Sequence, residues 1–389
     1  MVRIAYAGDG ESVFDLFFLS HLGEKYDVYV LTFSDRSYQV PRNVHIVRIP
    51  EPFSPSVSPL KGLYTYLGSF LRSVLLRKQL SEIKPDVLIS SGALSYGFYC
   101  ALSNYSPNIV FVWGSDVLTA PKWLPFRFIA KYTLRKADAV VADSETEENA
   151  CVSLGSNRAK IVKFPWIDLS PMLSKVEKNA DFQRKTRESF KEDTGWHEDD
   201  LIIISTRHHE PIYDVESLIS AIPDVIRQVK NARFLILSSG SLTEELRTRV
   251  KELGVENHVK FLGRLPHDEV LKHLQISDIY VSTSLSDGTS ASLLEAMASK
   301  LPSVVTNIPA NREWIENGKS GILAPTRNPK SLAQNIITLL ENQSLRQSLG
   351  KEAYVTVKEK ADWQKNSEIL DNLIRSQRQS KRSVSGHGG

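Results

Sequence analysis

Cysteine is nearly absent: Cys100 and Cys151 are the only two in 389 residues. Two cannot build a disulfide framework, and they lack the CxxC spacing of a zinc or redox site, so a reduced, cytosolic compartment is expected. Long apolar runs are missing too. No stretch approaches the ~18 uninterrupted apolar residues of a membrane span. The start, Met1 to Glu11, reads as a short strand entering a polar glycine loop, not as a basic end followed by an apolar leader. Any membrane is therefore expected to be met from outside. Charge of one sign is also lacking. Against 45 Asp+Glu stand 48 Lys+Arg, and the net +3 lies in the tail, on Arg378, Lys381 and Arg382. A neutral body lacks the electrostatic footprint of a nucleic-acid-binding protein, so no nucleic-acid partner is expected.

What is there is ordinary for a soluble globular chain: 41% hydrophobic and 24% charged residues. Short apolar runs alternate with helical stretches. Arg3–Ala7, Tyr26–Thr32, Asp86–Ser90, Ile109–Trp113 and Ala139–Ala142 read as buried strands, with helices at Val13–Leu22, 60–83, 95–104 and 125–136. The alternation restarts with strands Leu201–Ser205, Arg233–Ser238, Val259–Leu262, Ile279–Ser282 and Ser303–Thr306, with helices over 214–230, 242–253, 267–275, 290–299 and 329–341. Buried strands with helical crossovers indicate α/β domains with parallel, doubly wound sheets. The expected division is a first domain over 1–170, a charged linker over 171–199 and a second domain over 200–361. A helix over 362–377 should pack back on the first domain, before a disordered polar tail over 378–389.

Ligands of open α/β sheets sit beyond the carboxyl ends of the strands, so chemistry is expected in the loops there and in a cleft between the two domains. The most informative loop runs from Ser284 through Asp287, Gly288, Thr289, Ser290, Ala291 and Ser292 into a helix bearing Glu295. Free N–H groups at such a helix start favour a phosphate or a sugar hydroxyl. Glu295 lies among Leu293, Leu294 and Met297, where a carboxylate needs donors such as ligand hydroxyls.

This stretch resembles the core motif of GT-B glycosyltransferases of family 4, in which two acids are separated by seven residues, as Asp287 and Glu295 are. Asp stands where the family usually carries Glu, and Ser290 where it carries glycine. The segment from Ile202 through Arg207 to Tyr213 is similar to the family's strand, arginine and lysine–glycine segment, with Tyr213 at the lysine position. The resemblance implies a GT-B fold, two Rossmann-like domains facing a cleft, and retaining transfer of a hexose-type sugar from a nucleotide-diphosphate sugar to a glycan or lipid-linked acceptor. It assigns the sugar hydroxyls to Asp287 and the ribose to Glu295. The diphosphate falls to Arg207, whose permanently charged fork suits the role, and the nucleobase to Gly263 and Arg264. With no Asp-x-Asp motif, no metal and no cofactor beyond the nucleotide sugar are expected.

On the acceptor side, Gly8, Asp9 and Gly10 occupy the place of the family's glycine-rich loop. Trp113 stands where many relatives carry histidine, which makes Asp116 the polar candidate for acceptor binding or proton transfer. Residues 52–81 and 117–137 hold no acid but mix Lys61, Arg72, Arg77, Lys78, Lys122, Arg127, Lys131, Arg135 and Lys136 with aromatics. Two readings stay open for them: amphipathic helices covering the sheet, or a surface for an anionic membrane with peripheral attachment. A GT-B-like sugar-nucleotide epimerase and a non-catalytic nucleotide-sugar binding protein are the alternative functions.

Overall fold

A computed structural model describes residues 1–10, 13–36, 40–52, 61–176, 185–190, 194–197 and 199–385. The chain forms two compact units, Met1–Trp166 with Gln364–Gly389, and Ile167–Trp363.

The first unit holds a parallel sheet of β1 (Arg3–Ala7), β2 (Asp27–Thr32), β3 (Val44–Arg48), β4 (Val87–Ser91), β5 (Asn108–Phe111), β6 (Ala139–Ala142) and β7 (Ile161–Lys163). Their order is β3-β2-β1-β4-β5-β6-β7. The central strands are buried on both faces, as their unbroken apolar runs require. One face packs Ile4, Tyr6, Phe18 and Phe111 against Leu370, Leu373 and Ile374 of the helix Trp363–Ser385. The second unit repeats the plan with β8 (Leu201–Ser205), β9 (Ala232–Leu237), β10 (Val259–Gly263), β11 (Ile279–Ser282), β12 (Ser303–Thr306) and β13 (Ile322–Ala324), in the order β10-β9-β8-β11-β12-β13. In each sheet the order reverses between two central strands, β1 and β4 or β8 and β11. The loops leaving those strands frame the crevice where such sheets take ligands.

Several expectations are corrected. The first unit's leading segment ends at Trp166, not at 170, because Leu169 and Met172 pack into the second unit's core. The charged stretch 171–199 is not a free linker where it is described. Trp196 is buried, and Arg187 donates to Asp278 Oδ2 at 2.7 Å and to the Ile276 carbonyl at 2.9 Å; residues 177–184, 191–193 and 198 lie outside the described residues. The final helix runs on to Ser385, so disorder from 378 is wrong. Arg378 bonds Asp86 at 3.2 Å, and Lys381 donates to the Pro85 carbonyl at 2.7 Å; residues 386–389 are outside the described set. Strands β3, β7 and β13 were missed because they are edges and only partly buried, and β7 and β13 are three residues long.

Asp371 fixes the final helix to the first unit. It accepts from Tyr26 Oη at 2.8 Å and Lys25 Nζ at 2.6 Å, with His21 Nε2 at 3.5 Å. Burial works against its charge, yet His21, Lys25 and Tyr26 hold its pKa down to about 2. The folded carboxyl is thus more acidic than the unfolded one, so its stabilisation, about 2 kcal/mol, is complete above pH 4 and lost as pH falls towards 2. In urea titrations the wild type should exceed Asp371→Asn by that amount at pH 7, with the gap closing between pH 4 and 2.

Candidate functional site

In the second unit the loops after β8 and β11 meet. Arg207, two residues past Ser205 at the end of β8, is 8% exposed. Its Nη1 donates to Ser290 Oγ at 2.7 Å and Ser292 Oγ at 2.8 Å, and its Nη2 to Asp287 Oδ2 at 2.6 Å. The guanidinium lies over the Tyr213 ring, 4.2 Å from its centroid. Tyr280, buried on β11, donates to Ser292 Oγ at 2.8 Å. Two backbone-facing bonds hold the loops together: Leu285 N–H to the Ile212 carbonyl at 2.8 Å, and Thr283 Oγ1 to the Tyr213 carbonyl at 3.0 Å.

The electrostatics of this pair are set by burial and by mutual charge. Burial pushes the Asp287 carboxyl above its ordinary range, although Arg207 and the Gly288 N–H pull it down. Burial also opposes the Arg207 charge, but Asp287, Tyr280 and Tyr213 outweigh it and keep that group above its usual value. Arg207 Nε is buried with no hydrogen-bond partner among the described residues. The arrangement is a buried guanidinium fork at a helix start, with one carboxylate on the fork.

The helix Ala291–Ala298 begins there. Its Leu293, Leu294 and Met297 are fully buried, which fixes its rotation and places Glu295 at 9% exposure. Glu295 Oε1 lies 2.7 Å from His267 Nε2. Gly263 closes β10 in a left-handed conformation (φ 70°), and Arg264 Nε donates to Ser239 Oγ at 3.0 Å. Thus the structure brings Arg207, Asp287, Ser290 and Ser292 into direct contact, with Gly288, Thr289 and Ala291 on the same loop and helix start. Glu295 and the pair Gly263–Arg264 each bond other partners. Sequence reasoning missed His267, Tyr280 and the Ser238–His208 bond, 2.6 Å from Oγ to Nδ1. Only its place three residues after Arg264 pointed to His267.

In the first unit the loops after β1, β4 and β5 meet. Gly8 passes so close to its neighbours that a Cβ would come 2.7 Å from Tyr6 Cε1 and 3.1 Å from Ser91 Cβ. Asp9, exposed, accepts from Tyr96 Oη at 2.8 Å, and Gly10 has φ 73°. Trp113 donates through Nε1 to Ser91 Oγ at 2.8 Å. Asp116 is used differently from a solvent-facing acid: its Oδ1 accepts the Trp113 N–H at 2.9 Å and its Oδ2 the Ala93 N–H at 2.6 Å. Burial raises its pKa while those amides oppose the rise. This geometry makes Asp116 the tie between the β4 and β5 loops.

The acid-free stretches divide their side chains. In the helix Leu124–Lys136, Ala130, Thr133 and Leu134 are buried. Residues 122–128 are all exposed, with Trp123 at 73% and Phe128 at 70%. Phe70, Leu71 and Val74 of the helix Lys61–Ile83 are exposed as well. Both helices flank the helix Gly97–Ser103. Lys61 and the other side chains before Gly68 lie outside the described ones. Among the described residues no helix is long and apolar enough to cross a membrane.

Comparison with known proteins gives two family models: "Glycosyl transferase 4-like" matches residues 3–144, and "Glycosyl transferases group 1" matches residues 186–356. An N-acetyl-alpha-D-glucosaminyl L-malate synthase of Bacillus anthracis is 25% identical over 75% of this chain and 74% of its own length. A glycosyltransferase of Methanocaldococcus jannaschii is 24% identical over 87% of both. Among solved structures, Anabaena HepE in complex with UDP superposes with a TM-score of 0.77 at 16% identity, covering 97% of this chain and 100% of that one.

Proposed function

Because the chain belongs to the GT-B glycosyltransferases of the group 1, family 4 type, we propose that it moves a hexose-type sugar from a nucleotide-diphosphate sugar to a hydroxyl of a glycan or lipid-linked glycan, with retention at the anomeric carbon. The observation that carries this reading is the Arg207 fork, converging with Asp287 on the start of the helix that bears Glu295. Arg207 and the N–H groups at the helix start take up the diphosphate charge, with no divalent metal. Glu295 holds the ribose hydroxyls, and Gly263 and Arg264 border the nucleobase. Asp287, relieved of Arg207 when the diphosphate enters, turns to the sugar hydroxyls. The bond from the anomeric carbon to the diphosphate oxygen breaks, and one to the acceptor oxygen forms on the same face. The acceptor proton passes to the departing diphosphate oxygen, which removes the need for a strong protein base. The support for that last step is that Asp116 spends both carboxylate oxygens on backbone amides.

A donor-turnover assay with UDP- and GDP-sugars, run with and without EDTA, tests this reading. Glu295→Ala and Arg207→Ala should each lose turnover while EDTA leaves the wild type unchanged; full activity in both variants would overturn it.

The acceptor-side partner we propose is an anionic bilayer surface. Exposed Trp123, Leu124, Phe126 and Phe128 interleaved with Lys122 and Arg127 supply apolar insertion and charge together. In liposome flotation the wild type should rise with vesicles containing anionic lipid and not with neutral ones. Trp123→Ser with Phe128→Ser should abolish flotation, and equal flotation on both vesicle types would count against the proposal.

A further inference from the structure

Glu295 is nine-tenths buried, and its carboxylate has one protein partner among the described residues, His267 Nε2 at 2.7 Å from Oε1. An ionised carboxylate only accepts, so the imidazole N–H donates. A carboxylate so buried needs more than one donor. The second oxygen is left over just past the first turn of the helix whose start carries the groups proposed above to take up the diphosphate. His267 is the first residue of the helix His267–Ile276, reached three residues after Arg264, and its own side chain is half-exposed. It therefore reaches Glu295 from the β10 loop, the side assigned to the nucleobase.

We propose that His267 is a positioning residue for ribose recognition: it fixes Glu295 by Oε1, so that Oε2 faces the ribose hydroxyls. The inference rests on the reading of Glu295 as the ribose-holding acid. A histidine suits the task because it donates one bond through one nitrogen. A lysine or arginine offers several donors and would occupy both oxygens. Without His267 the carboxylate is free to rotate about its last torsion, which is broad and weakly restrained. Discrimination between nucleotides with and without ribose hydroxyls should then fall, although nothing touching base or phosphate has changed.

The test is equilibrium binding of UDP and GDP and of their 2′,3′-dideoxy counterparts to the full chain. Hydrogen bonds from ribose hydroxyls to a buried carboxylate should favour the ribonucleotide by about tenfold or more in the wild type. His267→Ala should remove most of that preference and leave dideoxynucleotide affinity unchanged, and His267→Gln, which keeps one N–H donor, should restore most of it. Glu295→Ala is the reference variant. If it loses the preference and His267→Ala keeps it, the positioning role is wrong and the site reading stands. Equal loss of both nucleotide types in His267→Ala means a general structural role and also overturns the inference. If Glu295→Ala itself keeps the preference, the ribose assignment falls and this inference with it.

Discussion

Arg207→Ala should lower kcat/KM for nucleotide-sugar turnover by about 10³-fold, because on the proposed reading it removes a guanidinium that takes up the developing diphosphate charge. The same change should destabilise the second unit by about 3 kcal/mol, the low end for breaking a buried ion pair. Asp287 would be left without its cation in a buried setting, and Ser290 and Ser292 would each lose a bond. The two losses separate. Arg207→Ala combined with Asp287→Ala removes the stranded carboxylate and should recover much of the stability without recovering turnover. Arg207→Lys keeps the charge but cannot span the three oxygens, so it should fall between wild type and alanine in activity. Urea unfolding and steady-state kinetics on the four proteins check both halves.

Gly350→Ala should cost about 3 kcal/mol, although alanine is the better helix former by about 1 kcal/mol. Gly350 is buried in the middle of the helix Gln343–Lys360. A Cβ there would lie 2.1 Å from the Lys300 carbonyl oxygen. That carbonyl has no freedom to retreat. Lys300 is the left-handed residue (φ 59°) that stops the helix Ala291–Ala298, with its N–H on the Met297 carbonyl and the Leu301 N–H on the Ala296 carbonyl, both at 3.0 Å. Its ammonium also lies 4.8 Å from the centre of the Tyr354 ring. The overlap therefore pushes on the helix that carries Ser292 and Glu295. The urea midpoint should drop and the donor KM should rise in one variant, far from any ligand.

Much of this fold was legible because parallel strands buried on both faces must be written as apolar runs. Arg3–Ala7, Ala139–Ala142, Leu201–Ser205, Ile279–Ser282 and Ser303–Thr306 have the bounds expected from sequence. Val44–Arg48 and Ile161–Lys163 were not legible, because an edge strand is covered on fewer sides and tolerates His45, Arg48 and Lys163. At the site, Arg207 and Asp287 fall together because each leaves a central strand next to the other. A sequence pattern reaches that far through strand order. The His267–Glu295 pair joins the first residue of one helix to the fifth of another, and no local sequence pattern marks that contact. Asp116 is a different case. Its loop position suggested chemistry, whereas the bonds it makes are to the amides of Trp113 and Ala93.

The first unit is written in two pieces, with Ile167–Trp363 between them. On the ribosome its sheet is therefore finished about 200 residues before the helix that covers Ile4, Phe18 and Tyr26 is made. At about 5–20 residues per second, that apolar face waits some 10–40 s for its cover. The second unit is contiguous and can close during the wait. Translation order thus makes the second unit the early folder and the first unit dependent on the last helix of the chain, where Asp371 locks that helix in place.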